Sequence, residues 1–256
     1  MSDTHSPNSA PAGSVARLDP APTLVLVHGA WHGKAGWDPL LPYLAEAGVP
    51  VAVVQLPGVG RAPGGHDLAG HVRFLRSELA ALPGPLVVCA HSYGGAVLTE
   101  AAADSSNVVG LIYLAAFQLD VGESCADVNT PAPESERQGL RAVVDGDYLR
   151  VPPSAAPGMF YGDCSAARIR TALAELTPEH VRTVTVPVGA AAWRRIPSTY
   201  IVCARDAAIS PEAQRALARR AGRVHTLDSA HSPMLSVPGE LAALLVDEVR
   251  RFDRAS

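Results

Sequence analysis

The sequence predicts an α/β fold, in which a mainly parallel β-sheet carries helices on both faces. Short apolar runs alternate with segments of helical periodicity, and turn-forming residues separate them, which is the pattern of a parallel sheet with crossover helices. Of the 256 residues, 48% are hydrophobic and 18% are charged. This composition favours a packed globule over a disordered chain, and the length suits a single domain with a complete core.

The alternation is clearest in two parts of the chain. In the first part, strands are predicted at 23–27, 51–55, 85–90 and 108–114, and helices at 38–47, 67–81 and 93–103. In the second part, strands at 199–204 and 223–227 alternate with helices at 211–220 and 241–252. Gly48 after the first helix and Pro211 in the first turn of a later one match the residues preferred at helix ends.

A longer and less regular segment separates the two parts. Residues 117–195 contain turn-forming residues, among them Pro131 and Pro133, and one helical stretch at 165–176. Because structureless loops of this length are rare in compact domains, we predict a helical cap at 117–195, inserted into a core made of 21–116 and 196–256. Residues 1–20, rich in Ser, Pro and Ala, are predicted to be a disordered tail.

Composition also limits the expected partners and compartment. The net charge is −4 and no long basic run occurs, so nucleic acid is not an expected partner. No apolar stretch is long enough to cross a membrane, and the N-terminus lacks an apolar signal core, so we expect a cytoplasmic protein. Four widely spaced cysteines, none in a Cys-x-x-Cys pair, predict free thiols and no metal site.

The sharpest local motif is Ala90-His91-Ser92-Tyr93-Gly94, which follows an apolar strand and precedes a helix. It matches the Gly-x-Ser-x-Gly nucleophile elbow, except that Ala90 stands at the first glycine position. On such an elbow the serine has a strained backbone conformation, which projects its hydroxyl above the sheet. The alternatives are a glycine-rich turn with an incidental serine and a phosphate-binding loop, but the latter lacks its Gly-Lys signature.

A second motif, His28-Gly29-Ala30-Trp31, follows the first predicted strand. A serine that attacks a carbonyl carbon from an elbow needs two backbone N–H donors for the oxyanion, one after the nucleophile and one after an earlier strand. The candidates here are the amides of Tyr93 and Ala30. Ordinary packing is the alternative role of His28 and Trp31, and we predict that His28 is structural and not a base.

The order of the remaining candidates predicts a catalytic triad. After Ser92, an acid and then a histidine are expected at the ends of later strands, where parallel sheets form their active sites. Asp206 follows the strand at 199–204, and His231 follows the strand at 223–227. We predict that His231 is the general base and that Asp206 orients it. Asp120 and Asp228 are rival acids, and the other histidines are predicted to be structural or exposed.

Together these motifs resemble the plant methylesterase and hydroxynitrile lyase family and its bacterial esterase-like relatives. The resemblance extends over about 23–252 and is strongest at 26–33, at 199–206 with Ile209 and Gln214 behind it, and at 230–235. It implies the α/β-hydrolase fold with a small helical cap, a small-ester hydrolase activity in a buried pocket, and no cofactor.

Two departures from that family bear on the reaction. Its lyase members carry Thr at or beside the position of Gly29, and they carry Lys directly after the catalytic histidine, where this chain has Ser232. Because that Lys helps to bind the nitrile, its absence favours ester hydrolysis. The methylesterases usually have Met at the position of Ser232, so the resemblance does not extend to their plant substrates.

The resulting hypothesis is a serine hydrolase that cleaves a small apolar carboxylic ester, lactone or thioester through an acyl-enzyme, as a monomer or homodimer. Large side chains of the cap and the core are predicted to line its pocket, or else only to pack the cap onto the core: Trp31, Tyr93, Met159, Phe160, Tyr161 and Trp193. Two alternatives stay open. The same site could perform carbon–carbon lysis, or cyclisation or off-loading in a biosynthetic pathway, or the fold could bind a ligand without turnover.

Overall fold

The computed structural model describes residues 21–58, 67–128 and 142–254, so the predicted tail at 1–20 lies outside it. Within these ranges the strands are β1 (Thr23–Val27), β2 (Val51–Val54), β3 (Leu86–His91), β4 (Val108–Leu114), β5 (Val143–Asp145), β6 (Tyr148–Arg150), β7 (Glu179–His180), β8 (Ser198–Cys203) and β9 (Arg223–Leu227). The α-helices are α1 (Leu41–Glu46), α2 (Leu68–Ala81), α3 (Gly94–Ala101), α4 (Cys125–Val128), α5 (Ala156–Phe160), α6 (Ala166–Glu175), α7 (Arg182–Thr185), α8 (Pro211–Ala218), α9 (Pro233–Ser236) and α10 (Pro238–Asp253).

A six-stranded sheet forms the centre of the fold. Its strand order is β2-β1-β3-β4-β8-β9, and every neighbouring pair is parallel. The inner strands β1, β3, β4 and β8 are almost entirely buried, as expected where helices cover both faces. The mainly parallel sheet is therefore confirmed. Because all six strands run the same way, the loops after β1, β3, β8 and β9 leave the sheet at the same edge.

Helices cover both faces of this sheet. The apolar sides of α2, α3 and α8 pack against one face, and those of α1 and α10 pack against the other. The helix predicted at 38–47 begins later, at Leu41, with Pro42 in its first turn. A 3₁₀ turn at Lys34–Trp37 precedes it. The last helix begins earlier than predicted, at Pro238, which also occupies a first turn.

Residues 117–195, called the cap below, separate β4 from β8 in the chain. The described part contains the short helices α4 to α7, and α6 lies within the helical stretch predicted at 165–176. It also contains a three-stranded antiparallel sheet, β5-β6-β7, which the sequence did not predict. These strands have only two or three residues each, too few to show alternation. Pro131 and Pro133 lie outside the described residues.

A search for membrane-spanning helices covered the described residues only. None of the helices there combines the length and the apolar character that crossing a bilayer requires.

Candidate active site

Ser92 occupies the tight turn between β3 and α3. Its φ is 55°, in the left-handed region that residues with a side chain rarely adopt. Two residues later, a Cβ on Gly94 would lie only 2.5 Å from the carbonyl oxygen of His28. The turn thus passes so close to the end of β1 that only glycine fits at this position. The backbone therefore has the geometry of a nucleophile elbow, and Ala90 is accommodated where the motif usually has glycine.

A hydrogen-bonded chain joins Ser92, His231 and Asp206. The Ser92 Oγ lies 3.0 Å from His231 Nε2, and His231 Nδ1 lies 2.6 Å from Asp206 Oδ2. Because an ionised carboxylate only accepts hydrogen bonds, Nδ1 carries the proton, and Nε2 is free to accept the serine O–H. All three residues are buried, with 7%, 1% and 5% of their surfaces exposed, respectively. In such a chain the imidazole can take the serine proton while the carboxylate fixes its tautomer.

Asp206 is held by donors on both of its oxygens. The amides of Ala208 and Ile209 donate to Oδ1 at 2.7 and 3.0 Å, and the side chain of Gln214 donates to Oδ2 at 2.7 Å. Gln214 is fully buried, and its carbonyl oxygen accepts from the amide of Cys203 at 2.9 Å. This glutamine therefore ties the acid to the end of β8, a role that sequence reasoning missed.

The rival acids lie in other surroundings. Asp120 pairs with Arg194 at 2.7 Å, and this ion pair holds the pKa of the Asp120 carboxyl below its usual range. Asp228 pairs with Arg205 at 2.7 Å, and its side chain is 81% exposed. The structure therefore brings only one of the three candidate acids, Asp206, into contact with His231.

The two predicted oxyanion donors are chain neighbours of Ser92 and Gly29: Tyr93 follows Ser92, and Ala30 follows Gly29. Within the described ranges neither the Tyr93 amide nor the Ala30 amide donates to a protein acceptor. Gly29 brings the loop after β1 against Ser92, since a Cβ at Gly29 would lie 2.8 Å from the Cβ of Ser92. An oxyanion hole requires backbone donors that are not already used by protein acceptors, and both amides meet this condition in the described residues.

The model of the alpha/beta hydrolase family matches residues 24–244. The chain belongs to this family. It is 32% identical to a pimeloyl-[acyl-carrier protein] methyl ester esterase of Aromatoleum aromaticum, over 90% of this chain and 98% of that protein. It is 26% identical to Methylesterase 7 of Arabidopsis thaliana, over 89% of this chain and 96% of the relative.

The crystal structure of a pyrethroid hydrolase from Sphingobium faniae matches with a TM-score of 0.78 at 25% identity, covering 90% of this chain and 97% of the other. The predicted α/β-hydrolase fold and the resemblance to the plant methylesterases are thereby confirmed. The family and these relatives indicate a hydrolase, and two of the three relatives are named as esterases.

His91 supports the backbone of His231 in this hydrolase. Its Nε2 lies 2.8 Å from the carbonyl oxygen of His231, so Nε2 carries the proton and donates it. The planes of the two rings are inclined by 48°, with their centroids 4.6 Å apart. Burial holds the pKa of His91 well below its usual range, so the ring stays neutral beside the neighbouring imidazole. This placement agrees with the prediction that His91 is structural.

His28 anchors the loop that contains Ala30. Its Nδ1 lies 2.9 Å from the carbonyl oxygen of Gly29, while Nε2 accepts from the amide of Leu56 at 3.0 Å and from the side chain of Gln55 at 3.3 Å. Burial lowers the pKa of His28 to about 4, so the ring is neutral, with its proton on Nδ1. His28 therefore links the loops after β1 and β2 and does not act as a base.

Aromatic side chains form a wall beside the hydrogen-bonded chain. The ring of Phe160, on the cap helix α5, lies with its centroid 5.7 Å from that of His231 and 5.7 Å from that of Trp31. Met159 precedes Phe160 and packs, half-buried, against the same apolar cluster. Phe160 thus lies against the imidazole of His231, with Trp31 next to it and Met159 in the same apolar cluster.

Tyr93 and Trp193 are placed differently. The Tyr93 hydroxyl bonds to His71 Nδ1 on α2 at 2.8 Å, which turns this side chain into the core. The indole N–H of Trp193 donates to the carbonyl oxygen of Leu119 at 2.7 Å, and the guanidinium of Arg220 lies 5.9 Å from its ring. Trp193 therefore does not belong to the group of aromatic side chains around Phe160. Its indole N–H is bound to Leu119, near the start of the cap.

The described residues hold no group of three or more His, Cys, Asp or Glu side chains arranged to bind a metal ion. All four cysteines are free thiols, and Cys89, Cys125 and Cys203 are buried. Burial raises the pKa of each of these three thiols, so none is poised as a nucleophile.

Proposed function

We propose that this chain is a serine esterase that works through an acyl-enzyme, with Ser92 as nucleophile, His231 as general base and Asp206 as the acid that orients it. One observation carries the proposal: the chain of hydrogen bonds from Asp206 to Ser92 ends at a strained elbow, beside backbone amides that have no protein acceptor in the described residues. This combination provides what acyl transfer needs, namely an activated hydroxyl and donors for the oxyanion.

Acylation follows from the positions of these groups. The Ser92 hydroxyl attacks the ester carbonyl as its proton passes to His231 Nε2, 3.0 Å away. The carbonyl oxygen becomes an oxyanion, which accepts from the amides of Ala30 and Tyr93. The imidazolium then protonates the leaving alkoxide, and the alcohol departs from a Ser92 ester. Asp206 stabilises the imidazolium across the 2.6 Å hydrogen bond without taking its proton.

Deacylation repeats these steps with water. His231 removes a proton from a water molecule, which attacks the acyl carbonyl, and the same two amides hold the second oxyanion. Collapse of this intermediate releases the carboxylic acid and returns the proton to Ser92. His231 is buried, so bulk solvent has little direct access to the imidazole.

The surroundings favour a small, uncharged and apolar ester. Phe160 supplies aromatic surface beside His231, and Trp31 and Met159 add aromatic and thioether surface to the same apolar cluster. Two of the relatives are named as esterases, one of them for a methyl ester. Hydrolysis is favoured over cyanohydrin lysis, because this chain lacks the Thr that the lyases carry at or beside the position of Gly29 and because Ser232 cannot replace the lysine of the lyases.

The test is turnover by matched variants. A panel of p-nitrophenyl acetate to octanoate and simple methyl esters is assayed with the wild type, Ser92→Ala and His231→Ala. We expect hydrolysis of at least one short apolar ester, and a loss of kcat of about 10⁴-fold or more in both variants, as for removal of a triad member. Turnover by Ser92→Ala at the wild-type rate would reject the serine mechanism.

A further inference from the structure

One peptide unit in the loop after β1 is attached to the cap at both of its polar groups. This unit joins Ala30 to Trp31. Its N–H, that of Trp31, donates to Oε2 of Glu179 on the cap strand β7 at 3.3 Å. Its carbonyl oxygen, that of Ala30, accepts from His32 Nδ1 at 2.8 Å, and Nε2 of the same ring lies 2.7 Å from the hydroxyl of Tyr161 in the cap.

The protonation of His32 follows from its partners. The Ala30 carbonyl can only accept, so Nδ1 carries the proton, and Nε2 accepts the O–H of Tyr161. Burial lowers the pKa of His32 to about 4, which keeps the ring neutral and preserves this direction. A continuous relay of hydrogen bonds thus runs from a cap hydroxyl to the carbonyl oxygen of Ala30.

Trp31 itself is held in a strained conformation by the cap. Its φ is 62°, a left-handed value that costs free energy in a residue with a side chain. Its carbonyl oxygen accepts from the amide of Thr177 at 3.0 Å, and its indole N–H donates to the carbonyl oxygen of Leu149 at 3.0 Å. Contacts from β6 and from the segment before β7 therefore maintain a backbone shape that the loop would not keep alone.

Ala30 lies between two fixed peptide units. The preceding unit carries the Ala30 N–H, and its carbonyl oxygen, that of Gly29, is bound by His28 of the core. The following unit is the one bound by Glu179 and, through His32, by Tyr161. Fixing the units on both sides fixes the two backbone torsions of Ala30, and with them the direction of its N–H.

We propose that Glu179 and Tyr161 are positioning residues through which the docked cap aims the Ala30 amide at the oxyanion. The inference rests on the proposed esterase function and adds to it a role for the cap in catalysis itself, beyond covering the pocket. Neither side chain needs to touch the substrate, because each acts on the Ala30–Trp31 peptide.

The ionisation of Glu179 is not required for this role. Its surroundings bury the carboxyl and raise its pKa to about 7, so both forms occur near neutrality. The ionised and the neutral carboxyl groups each retain an oxygen that can accept from the Trp31 amide. Glutamine retains such an oxygen too, so Glu179→Gln is the conservative variant and Glu179→Ala is the disruptive one.

The experiment measures kcat and KM separately on an ester that the wild type hydrolyses. We expect Glu179→Ala to lower kcat about tenfold with KM changed by less than about threefold, a smaller effect than the 10²- to 10³-fold loss of a whole oxyanion donor. Glu179→Gln should restore kcat to within about threefold of the wild type. Arg182→Ala is the control, because it removes a cap-to-core ion pair with Asp67 (3.6 Å) that does not involve the loop.

A double-variant cycle tests the shared target. Glu179 and Tyr161 hold the same peptide, so the fold-change in kcat of the double variant Glu179→Ala/Tyr161→Phe should differ by about threefold or more from the product of the two single fold-changes. For the pair Glu179→Ala and Arg182→Ala, the fold-change of the double variant should equal that product. Tyr161→Phe removes one hydroxyl from a side chain that otherwise stays packed, so it keeps the test valid should Glu179→Ala fold poorly.

The positioning role would be overturned if Glu179→Ala or Tyr161→Phe kept the wild-type kcat, or if either variant changed only KM. It would also be overturned if the effects of these two substitutions on kcat simply multiplied in the double variant. None of these results bears on the esterase proposal, which is tested separately by whether Ser92→Ala abolishes the wild-type turnover.

Discussion

Gly29 lies directly against Ser92, and the variant Gly29→Ala places a methyl group in that contact. The added Cβ would lie 2.8 Å from the Cβ of Ser92 and 3.3 Å from Nδ1 of His91. Non-bonded carbon atoms prefer about 3.5–4.0 Å, so the loop or the elbow must shift by roughly 0.7 Å or more. Misplacement of about 1 Å in an active site can cost about 10²-fold in rate, which corresponds to about 2.7 kcal/mol of transition-state free energy.

We therefore expect Gly29→Ala to lower kcat/KM about 10²-fold in an ester assay, with the far-ultraviolet circular dichroism of the wild type. Gly36→Ala is the matched control, because its Cβ would meet nothing within 4 Å and its backbone, like that of Gly29, is not left-handed. Equal kcat/KM for Gly29→Ala and Gly36→Ala would show that the close contact with Ser92 does not constrain the reaction.

Three further outcomes follow from buried polar groups. Gln214→Leu should lower the free energy of unfolding in urea titrations by about 2–4 kcal/mol and lower kcat as well, because it removes one donor to Asp206 and leaves other buried partners unpaired. A free energy of unfolding and a kcat equal to those of the wild type would contradict this. Burial lowers the pKa values of His28 and His32 to about 4. Each histidine therefore contributes up to about 3 kcal/mol of stability, which is fully present above pH 6.5 and is lost as the pH falls toward 4. A urea midpoint that does not change between pH 7 and pH 4.5 would refute this pH dependence. Glu179 has the opposite sign, since its pKa rises from 4.5 to about 7, and its contribution is present below pH 4.5 and lost as pH rises through 7. Glu179→Gln should therefore gain stability relative to the wild type between pH 5 and pH 8, by at most about 3 kcal/mol, and a pH-independent difference would refute that.

The parallel sheet and the cluster of Ser92, His231 and Asp206 could be predicted from the sequence. The features that specify them are either local motifs or a fixed order of residues along the chain. Each buried strand is a short apolar run, and the elbow needs a small residue, a serine and glycine within one turn. Asp206 and His231 are distant in sequence, but each follows a parallel strand, and such strands end at the same edge. Strand topology therefore converts order in the sequence into proximity in space.

Other parts of the site depend on contacts that leave no periodic trace. The strands β5 to β7 are too short to show an alternation of apolar and polar residues, so the sequence does not predict the sheet that holds Trp31. Glu179 lies in β7 and reaches a loop 148 positions earlier in the chain, and nothing in its neighbours indicates this. The role of Gln214 follows from the packing of α8 against the end of β8. Trp193 was predicted from residue type alone, and its hydrogen bond to Leu119 places it elsewhere.

The most direct test of the central claim is to locate the covalent adduct of a fluorophosphonate probe by peptide mass spectrometry. If Ser92 is the nucleophile that His231 activates, the probe modifies the peptide that contains Ser92. Labelling then disappears in Ser92→Ala and slows strongly in His231→Ala. An adduct on another residue, or labelling of Ser92→Ala at the wild-type rate, would contradict the account.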